Sequence, residues 1–307
     1  MNLQQLRYVA EVAQRNLNVS EAARVLHTSQ SGVSRQISLL EDELGVDVFV
    51  RQGKRLVAVT QPGQEVLEIA RRMLRDVGAL KQVGEEYASG ERGRLTIATT
   101  HTQARYVLPG ILSEFMRTHP DVRVTLHQGN PTQCCEYVLS GEADLAIATE
   151  AIDDFELLVS LPCYQWNRSL IAPPGHPLLD VKPLTLEAIS DWPLITYDFA
   201  FTGGSAVNRA FAARGLTPNV MLSAIDADII KTYVALGLGV GIVAQMAFDP
   251  EQDRNLRAVD CSHLFEPSTT RIGLHRNAWL RGYGYAFIQS FAGALTRDVV
   301  DKVLGRH

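Results

Sequence analysis

Hydrophobic positions in the first sixty residues recur every three or four residues, which is the spacing that lines one face of a helix. Three stretches show it: Leu3, Leu6, Val9, Ala10 and Ala13, then Ala22, Ala23, Val25 and Leu26, then Val33, Ile37, Leu40 and Leu44. Asn18-Val19-Ser20 separates the first two, and we expect Ser20 to cap the second helix. Residues 46–50 and 56–59 have the pattern of two strands around a polar turn at 51–55. Three helices followed by a hairpin are typical of a winged helix-turn-helix.

A long helical pattern follows the hairpin. Thr60-Gln61-Pro62-Gly63 is typical of a helix start, because threonine caps free N–H groups and proline suits the first turn. Apolar residues then step by three and four up to about residue 88, at Val66, Ile69, Met73, Val77 and Leu80. This stripe predicts a linker helix of roughly 40 Å that pairs with a second copy of the chain. The alternative is a helix that packs on its own domain.

The pattern changes after the polar, glycine-containing linker at residues 89–93. Short apolar stretches with the pattern of strands are found at residues 95–99, 122–126, 145–148, 169–172, 194–197, 221–223, 240–243 and 271–275. The pattern of residues 278–303 predicts a final helix. Strands that alternate with helices favour an α/β sheet. The chain therefore divides into a winged-helix domain at 1–60, a linker helix at 61–92 and an α/β domain at 93–307.

The composition bounds the class of protein. The chain has 307 residues, of which 46% are hydrophobic and 21% charged, a balance typical of a globular protein with about two domains. A net charge of −5 means that DNA binding must come from a local basic patch. The four cysteines form no C-x-x-C motif, so we expect reduced thiols and no metal site. Without a signal-peptide core or a stretch of ~18 apolar residues, we expect a cytoplasmic protein with no membrane partner.

The third helix and the hairpin carry residues suited to DNA. Val33 faces the core, so the opposite face presents polar residues in the first turn, where recognition helices meet base edges. Glutamine can read adenine and arginine guanine, and the turn adds cations for the phosphate backbone or the minor groove. The predicted DNA-binding residues are Ser29, Gln30, Ser31, Ser34, Arg35, Arg51, Lys54 and Arg55. A polar helix face alone is typical of a solvated surface, but here a capped helix and a basic wing occur together.

Motifs of catalysis are absent from the sequence, which contains no G-x-S-x-G, HExxH, P-loop or GxGxxG. Gly237, Gly239 and Gly241 follow a helical pattern and precede a strand, which is the reverse of the dinucleotide-binding order. His101 has no acidic partner nearby in sequence. We therefore expect neither an enzyme nor a cofactor.

Residues 3–63 resemble the N-terminal domain of LysR-type transcription regulators. The segments that carry the resemblance are Asn18-Val19-Ser20-Glu21-Ala22-Ala23, Ser29-Gln30-Ser31-Gly32-Val33-Ser34-Arg35-Gln36-Ile37, Leu40-Glu41-Asp42-Glu43-Leu44-Gly45, Phe49-Val50-Arg51 and Thr60-Gln61-Pro62-Gly63. Ser31 stands where the family most often has proline, and serine is tolerated at a helix start.

The rest of the chain resembles a narrower group, the CysB/Cbl subfamily of sulfur regulators. The segments that carry this resemblance include Thr99-Thr100-His101-Thr102-Gln103-Ala104-Arg105-Tyr106, Leu161-Pro162-Cys163-Tyr164, Trp166-Asn167-Arg168-Ser169, Phe201-Thr202-Gly203 and Leu295-Thr296-Arg297-Asp298. The resemblance implies a sensor of two α/β subdomains like those of periplasmic binding proteins. Subdomain I would hold residues 94–165 and 267–307 approximately, and subdomain II residues 166–266.

The resemblance also assigns an effector pocket, with Thr100, Thr102, Gln103, Thr149 and Thr202 in it and Trp166 and Arg168 near the cleft. Thr100-His101-Thr102-Gln103 has capping-box spacing at a predicted helix start, a site suited to a carboxylate or a sulfate. The alternative is a structural cap only. Asp226 and Asp228 are expected to cap the next helix rather than to contact ligand.

By the same resemblance we expect a regulator of sulfur assimilation and cysteine biosynthesis genes, whose effector is N-acetylserine, O-acetylserine or sulfate. Its partners would be promoter DNA, RNA polymerase and further copies of the chain in a dimer of dimers. One alternative is a Cbl-like regulator of sulfonate use that senses adenosine phosphosulfate. Another is a solute-binding sensor without a DNA function, against which the first sixty residues argue.

Overall fold

The structure is a computed structural model that describes residues 1–53, 55–89, 92–198 and 206–306. It consists of two compact units, Met1–Gly90 and Glu91–His307, each of which is described by itself.

The first unit has the winged helix-turn-helix order that the sequence predicts. Its elements are α1 (Leu3–Gln14), α2 (Val19–Val25), α3 (Gln30–Leu44), the antiparallel strands β1 (Phe49–Gln52) and β2 (Arg55–Val59), and α4 (Gln61–Ser89). The predicted apolar faces meet in one core, in which Val9, Val33, Ile37 and Leu40 are all buried. Helix α3 ends at Gly45, whose φ of 70° is a conformation that glycine adopts without strain.

Two local predictions for this unit are wrong. Asn18 rather than Ser20 caps α2, because the Asn18 side chain accepts the N–H of Glu21. The first wing strand begins at Phe49 instead of residue 46 and continues through Gln52. Arg51 therefore lies within β1 and not in the turn, where the sequence pattern had placed three cations together.

Helix α4 begins as predicted, since the Thr60 hydroxyl accepts the N–H of Gly63 over 2.9 Å. Its first turns carry two apolar faces. Leu67 and Ala70 are buried against the core of the first unit, which agrees with the alternative of packing on its own domain. Ile69 and Met73, from the predicted stripe, are exposed. A second chain could therefore contact the stripe while the other face stays packed.

The second unit contains two five-stranded mixed sheets. The first is formed by β3 (Gly93–Thr99), β4 (Val122–Gln128), β5 (Leu145–Ala148), β6 (Leu158–Trp166) and β12 (Ser268–His275), in the order β4-β3-β5-β12-β6. The second is formed by β7 (Arg168–Ala172), β8 (Leu194–Tyr197), β9 (Val220–Ala224), β10 (Val240–Ala244) and β11 (Arg257–Asp260), in the order β11-β7-β10-β8-β9. We call the two sheets with their helices subdomain I and subdomain II. The chain crosses between them at Asn167 and again between β11 and β12.

Helices complete each subdomain. Subdomain I has a π-helical turn at Gln103–Val107, then α5 (Leu108–Thr118), α6 (Pro131–Ser140), α10 (Gly282–Phe291) and α11 (Arg297–Val303). Subdomain II has α7 (Leu186–Ser190), α8 (Ala206–Ala213) and α9 (Ala227–Ala235). Subdomain I has two clusters of buried side chains, one around Ile97 and Phe287 and one around Cys134 and Ile152, and subdomain II has one around Ile195 and Ile230.

Three features of the second unit differ from the sequence prediction. Strands β6 and β11 were not predicted; both lie at sheet edges, where proline and polar residues are tolerated and blur the apolar pattern. Pro162 lies at an irregularity in the pairing of β6 with β12. The single final helix is two helices, because Ala292 adopts extended backbone angles after α10. Tyr285 then donates a hydrogen bond to Asp301 and ties α11 to α10.

Candidate functional site

The predicted DNA-reading face lies at the start of α3. The Ser29 side chain accepts the N–H of Gly32 over 3.0 Å and lies 3.2 Å from the Ser31 hydroxyl, so it serves as the helix cap. Ser31 at this position leaves the helix start intact. Gln30, Ser31 and Arg35 are exposed and Ser34 is half-buried; of these, Ser31 and Arg35 lie on the side of the helix opposite the buried Val33. The exposed face is therefore polar and carries one cation.

The cations predicted to bind DNA in the wing differ in their contacts. Arg51 donates to the Glu41 carboxylate over 2.6 Å, and the Glu41 side chain is only 6% exposed. The same carboxylate accepts the backbone N–H groups of Val48 and Phe49. Arg55 is exposed. Lys54 lies outside the described residues. Arg51 thus has a structural contact within the domain, and its DNA contact stays a prediction.

Two of the predicted effector threonines, Thr100 and Thr149, lie at the carboxyl ends of neighbouring strands in the first sheet. Thr100 follows β3 and Thr149 follows β5, and these strands are parallel neighbours, so their carboxyl ends lie side by side. Thr102 and Thr149 are buried and Thr100 is half-buried. Thr202 lies outside the described residues. The carboxyl edge of such a sheet is where α/β proteins bind ligands.

Gln103 does not close the capping box that its spacing suggests. Its amide donates to the Thr270 hydroxyl over 3.2 Å and accepts the Tyr164 hydroxyl over 2.5 Å. Both partners belong to subdomain I, in β12 and β6. Burial explains these hydrogen bonds. Gln103 is 2% exposed, so its amide must find hydrogen-bond partners inside the protein.

Trp166 and Arg168 lie at the first crossing between the subdomains. Arg168 is buried and donates to the Ser268 hydroxyl over 2.8 Å and to the Glu266 carbonyl over 3.3 Å, both at the second crossing. Its guanidinium carbon lies 5.0 Å from the centre of the Trp166 ring. Among the described residues, the buried Trp166 Nε1 has no hydrogen-bond partner. Arg168 therefore joins the two crossings, and an effector contact by either residue stays a prediction.

Residues of subdomain II contact residues 101–106 of subdomain I, which include the predicted effector residue Thr102. The Tyr197 hydroxyl lies 3.4 Å from the Thr102 hydroxyl. Asp226 caps α9 as expected, since it accepts the N–H of Ile229, but Asp228 does not. Asp228 instead accepts the Tyr106 hydroxyl over 2.5 Å. No local signal could have revealed this pair, because 122 residues separate its members.

The environment of Asp228 perturbs several pKa values. Burial, followed by the bond to Asp228, raises the pKa of Tyr106 to about 12. Burial alone would raise the pKa of Asp228, but hydrogen bonds from Tyr106 and Lys231 outweigh it and lower that pKa. His101, which lacks an acidic neighbour in sequence, has Nε2 4.0 Å from the Asp228 carboxylate in the fold. Asp228 is thus charged and Tyr106 is protonated at neutral pH.

Within the described residues, no group of three or more His, Cys, Asp and Glu side chains could hold a metal ion. No described helix is both long and apolar enough to span a membrane.

The two units correspond to two known domain families. Residues 3–64 match the family described as bacterial regulatory helix-turn-helix protein, lysR family, and residues 88–296 match the LysR substrate binding domain. The chain therefore belongs to the LysR family of DNA-binding transcriptional regulators. Members of this family are regulators and not enzymes, as the sequence predicts.

Similar proteins show to which group of LysR-type regulators the chain belongs. The chain is 51% identical over 304 residues to the HTH-type transcriptional regulator CysB of Burkholderia cenocepacia, covering 99% of this chain and 97% of that protein. It is 52% identical to the regulator SsuR of the same organism, covering 99% of both. The solved cofactor-binding domain of the Cbl transcriptional regulator is 43% identical, with a TM-score of 0.67, and covers 70% of this chain and 94% of that one. The protein is a LysR-type regulator of the CysB, Cbl and SsuR kind.

Proposed function

We propose that this protein regulates promoters of sulfur assimilation and cysteine biosynthesis genes in response to an acetylserine-type effector or sulfate. The observation that carries the proposal is the position of Thr100 and Thr149 at the carboxyl ends of neighbouring strands of the first sheet, with the Thr102 hydroxyl 3.4 Å from the Tyr197 hydroxyl of subdomain II. Neutral hydroxyl donors at a helix start suit a small ligand with a carboxylate or a sulfate group. The names of the similar regulators support the sulfur connection.

A dimer of dimers is part of the same proposal. Ile69, Met73 and Leu80 are exposed on α4, with 71% exposure at Leu80. Exposed apolar side chains also occur on subdomain II, where Met221 and Leu236 are 60% and 69% exposed. Apolar side chains that form a contiguous exposed patch are typical of interaction sites. Copies of the chain paired through these surfaces would bind tandem half-sites on promoter DNA in the cytoplasm. RNA polymerase would be the partner of the DNA-bound complex.

The test is calorimetric titration of the full-length protein with N-acetylserine, O-acetylserine, sulfate and adenosine phosphosulfate. We expect binding of acetylserine or sulfate, and loss of binding in Thr100→Ala and Thr102→Ala. Thr118→Ala is the matched control, because Thr118 lies exposed at the far end of α5 and should leave affinity unchanged. Binding of adenosine phosphosulfate alone would instead support a regulator of sulfonate use, and binding of none would refute the proposal.

The DNA function is tested separately by electrophoretic mobility shift on a promoter fragment. We expect the full-length protein to retard the fragment and the effector to alter the pattern of bands. A protein that binds effector but retards no promoter DNA would be a sensor alone.

A further inference from the structure

Three side chains from residues 101–106 of subdomain I converge on a single carboxylate of subdomain II. The Tyr106 hydroxyl donates to Asp228 Oδ1 over 2.5 Å. Arg105 Nε lies 3.4 Å from Oδ2 of the same residue, and His101 Nε2 lies 4.0 Å from it. Lys231, on the same helix as Asp228, lies 3.2 Å from Oδ1. Asp228 is therefore one point at which residues 101–106 are attached to subdomain II.

The π-helical turn at Gln103–Val107 includes Arg105 and Tyr106, and His101 precedes it. In a regular α-helix, residues five apart are separated by about 140° around the axis. His101 Nε2 and the Tyr106 hydroxyl nevertheless both approach the Asp228 carboxylate. π-Helical turns are common where a helix serves a function.

Tyr106 makes the strongest of these contacts. Its ring packs against the core of subdomain II, and the Lys231 ammonium lies 5.1 Å from the ring centre. Lys231 is itself held by Asp253 over 3.1 Å, and both of these side chains are 12% exposed. A raised pKa of about 12 keeps the Tyr106 hydroxyl protonated as a donor. Arg105 is 54% exposed, and an ion pair so open to water contributes little.

The same short segment carries the predicted effector contacts. Thr102 lies between His101 and Tyr106 in sequence and reaches Tyr197 of subdomain II. Gln103 holds the segment to subdomain I through Thr270. A ligand bound at Thr102 and the bond at Tyr106 therefore act on one short segment of the chain, whose displacement would alter both contacts.

We propose that Tyr106 and Asp228 are a positioning pair that holds residues 100–106 against subdomain II. Their hydrogen bond and the binding of effector to Thr100 and Thr102 would then be energetically coupled. This inference rests on the proposed function, because it takes Thr100 and Thr102 as effector contacts. A ligand shifts the arrangement of subdomains only through its different affinities for the two states. The Tyr106 hydroxyl is one source of that difference.

The experiment uses the full-length protein with Tyr106→Phe, Asp228→Ala and the double variant, because alanine at position 228 removes the oxygen that accepts the Tyr106 hydroxyl. Tyr106→Phe removes one hydroxyl and keeps the ring in the core, so the fold is retained. The matched control is Asp253→Asn, which removes the other ion pair of Lys231 within subdomain II and leaves the Tyr106 bond in place. Two readouts are measured: hydrogen exchange without ligand, and affinity for sulfate and N-acetylserine.

We expect amides of residues 101–107 to exchange faster in Tyr106→Phe and Asp228→Ala, but not in Asp253→Asn. Affinity should fall about tenfold in each single variant, and the double variant should be no weaker than Asp228→Ala, because that variant already lacks the Tyr106 bond. Unchanged exchange in residues 101–107 would overturn the proposal even if no ligand binds. Binding lost in Thr102→Ala but unaltered in Tyr106→Phe would overturn it while the proposed function stands.

Discussion

The Glu41 carboxylate, in the last turn of α3, accepts a hydrogen bond from the guanidinium of Arg51 in the wing over 2.6 Å. Glu41 also accepts the N–H groups of Val48 and Phe49, where the wing begins. One buried carboxylate thus satisfies three donors and joins the predicted recognition helix to the wing. The relative position of the two predicted DNA contacts depends on this side chain.

Replacing Glu41 is therefore expected to destabilise the first unit. Glu41→Ala should lower the free energy of unfolding by about 2–3 kcal/mol, because two buried N–H groups lose their acceptor. Glu41→Gln keeps an acceptor oxygen and loses only the partly exposed ion pair, so its effect should stay below about 1 kcal/mol. Urea denaturation of both variants measures the difference. Asp42→Ala, at the exposed neighbouring position, is the control, and equal effects of Ala and Gln at Glu41 would contradict this account.

Arg35 and Arg55 are expected to act differently on DNA. Arg35 is exposed in the first turns of α3, so Arg35→Ala should reduce discrimination between promoter and unrelated DNA by about 1–3 kcal/mol. Arg55 in the wing should contact phosphate, and Arg55→Ala should reduce the salt-dependence slope of binding by about one. Mobility shifts at several salt concentrations measure both quantities. Arg123→Ala, exposed in β4 of the second unit, should change neither.

Asp144 is expected to make the stability of the second unit depend on pH. Burial raises its pKa despite the hydrogen bond from the Thr96 N–H, over 2.7 Å. A carboxyl whose pKa is raised on folding favours the folded state below its unfolded pKa of about 3.9, and this contribution is lost as the pH rises through the folded value. Asp144→Asn keeps an acceptor without the charge, so it should stabilise the protein more at pH 7 than at pH 4.5.

Thermal denaturation at the two pH values checks this expectation. Asp144→Ala removes the acceptor as well and should cost about 1–3 kcal/mol at both. A melting-temperature difference between Asp144→Asn and the parent that shrinks as the pH rises would refute the assignment.

Gly63 and Gly78 in α4 offer a matched pair of substitutions. A Cβ at Gly63 would lie 2.1 Å from the carbonyl oxygen of Val48, so Gly63→Ala must displace backbone and should destabilise the first unit by about 1–3 kcal/mol. A Cβ at Gly78 meets no atom within 4 Å. Gly78→Ala should therefore stabilise the helix by up to about 1 kcal/mol. Circular dichroism melts of the two variants would show opposite shifts, and a common sign would count against the close approach at Gly63.

Much of the fold follows from local sequence patterns. The spacing of Val33, Ile37 and Leu40 predicts α3, and all three are buried. Strands β5 and β8 have the predicted bounds, because β5 is a short apolar run and β8 combines isoleucine, threonine and tyrosine, which favour strands. Strands β6 and β11 escaped prediction because edge strands need no continuous apolar run. Their existence depends on the neighbour that pairs with them.

By itself, the sequence determined the winged helix-turn-helix, most strands of the α/β domain, the family and the threonines at the ends of β3 and β5. Only the tertiary structure decided the partners of Gln103 and Asp228. Gln103 has the spacing of a local cap yet bonds to Thr270, and Asp228 bonds to Tyr106 rather than capping its helix. The physical reason is that the buried Gln103 amide must find a partner inside the fold, and that folding brings Tyr106 to Asp228 across 122 residues of chain.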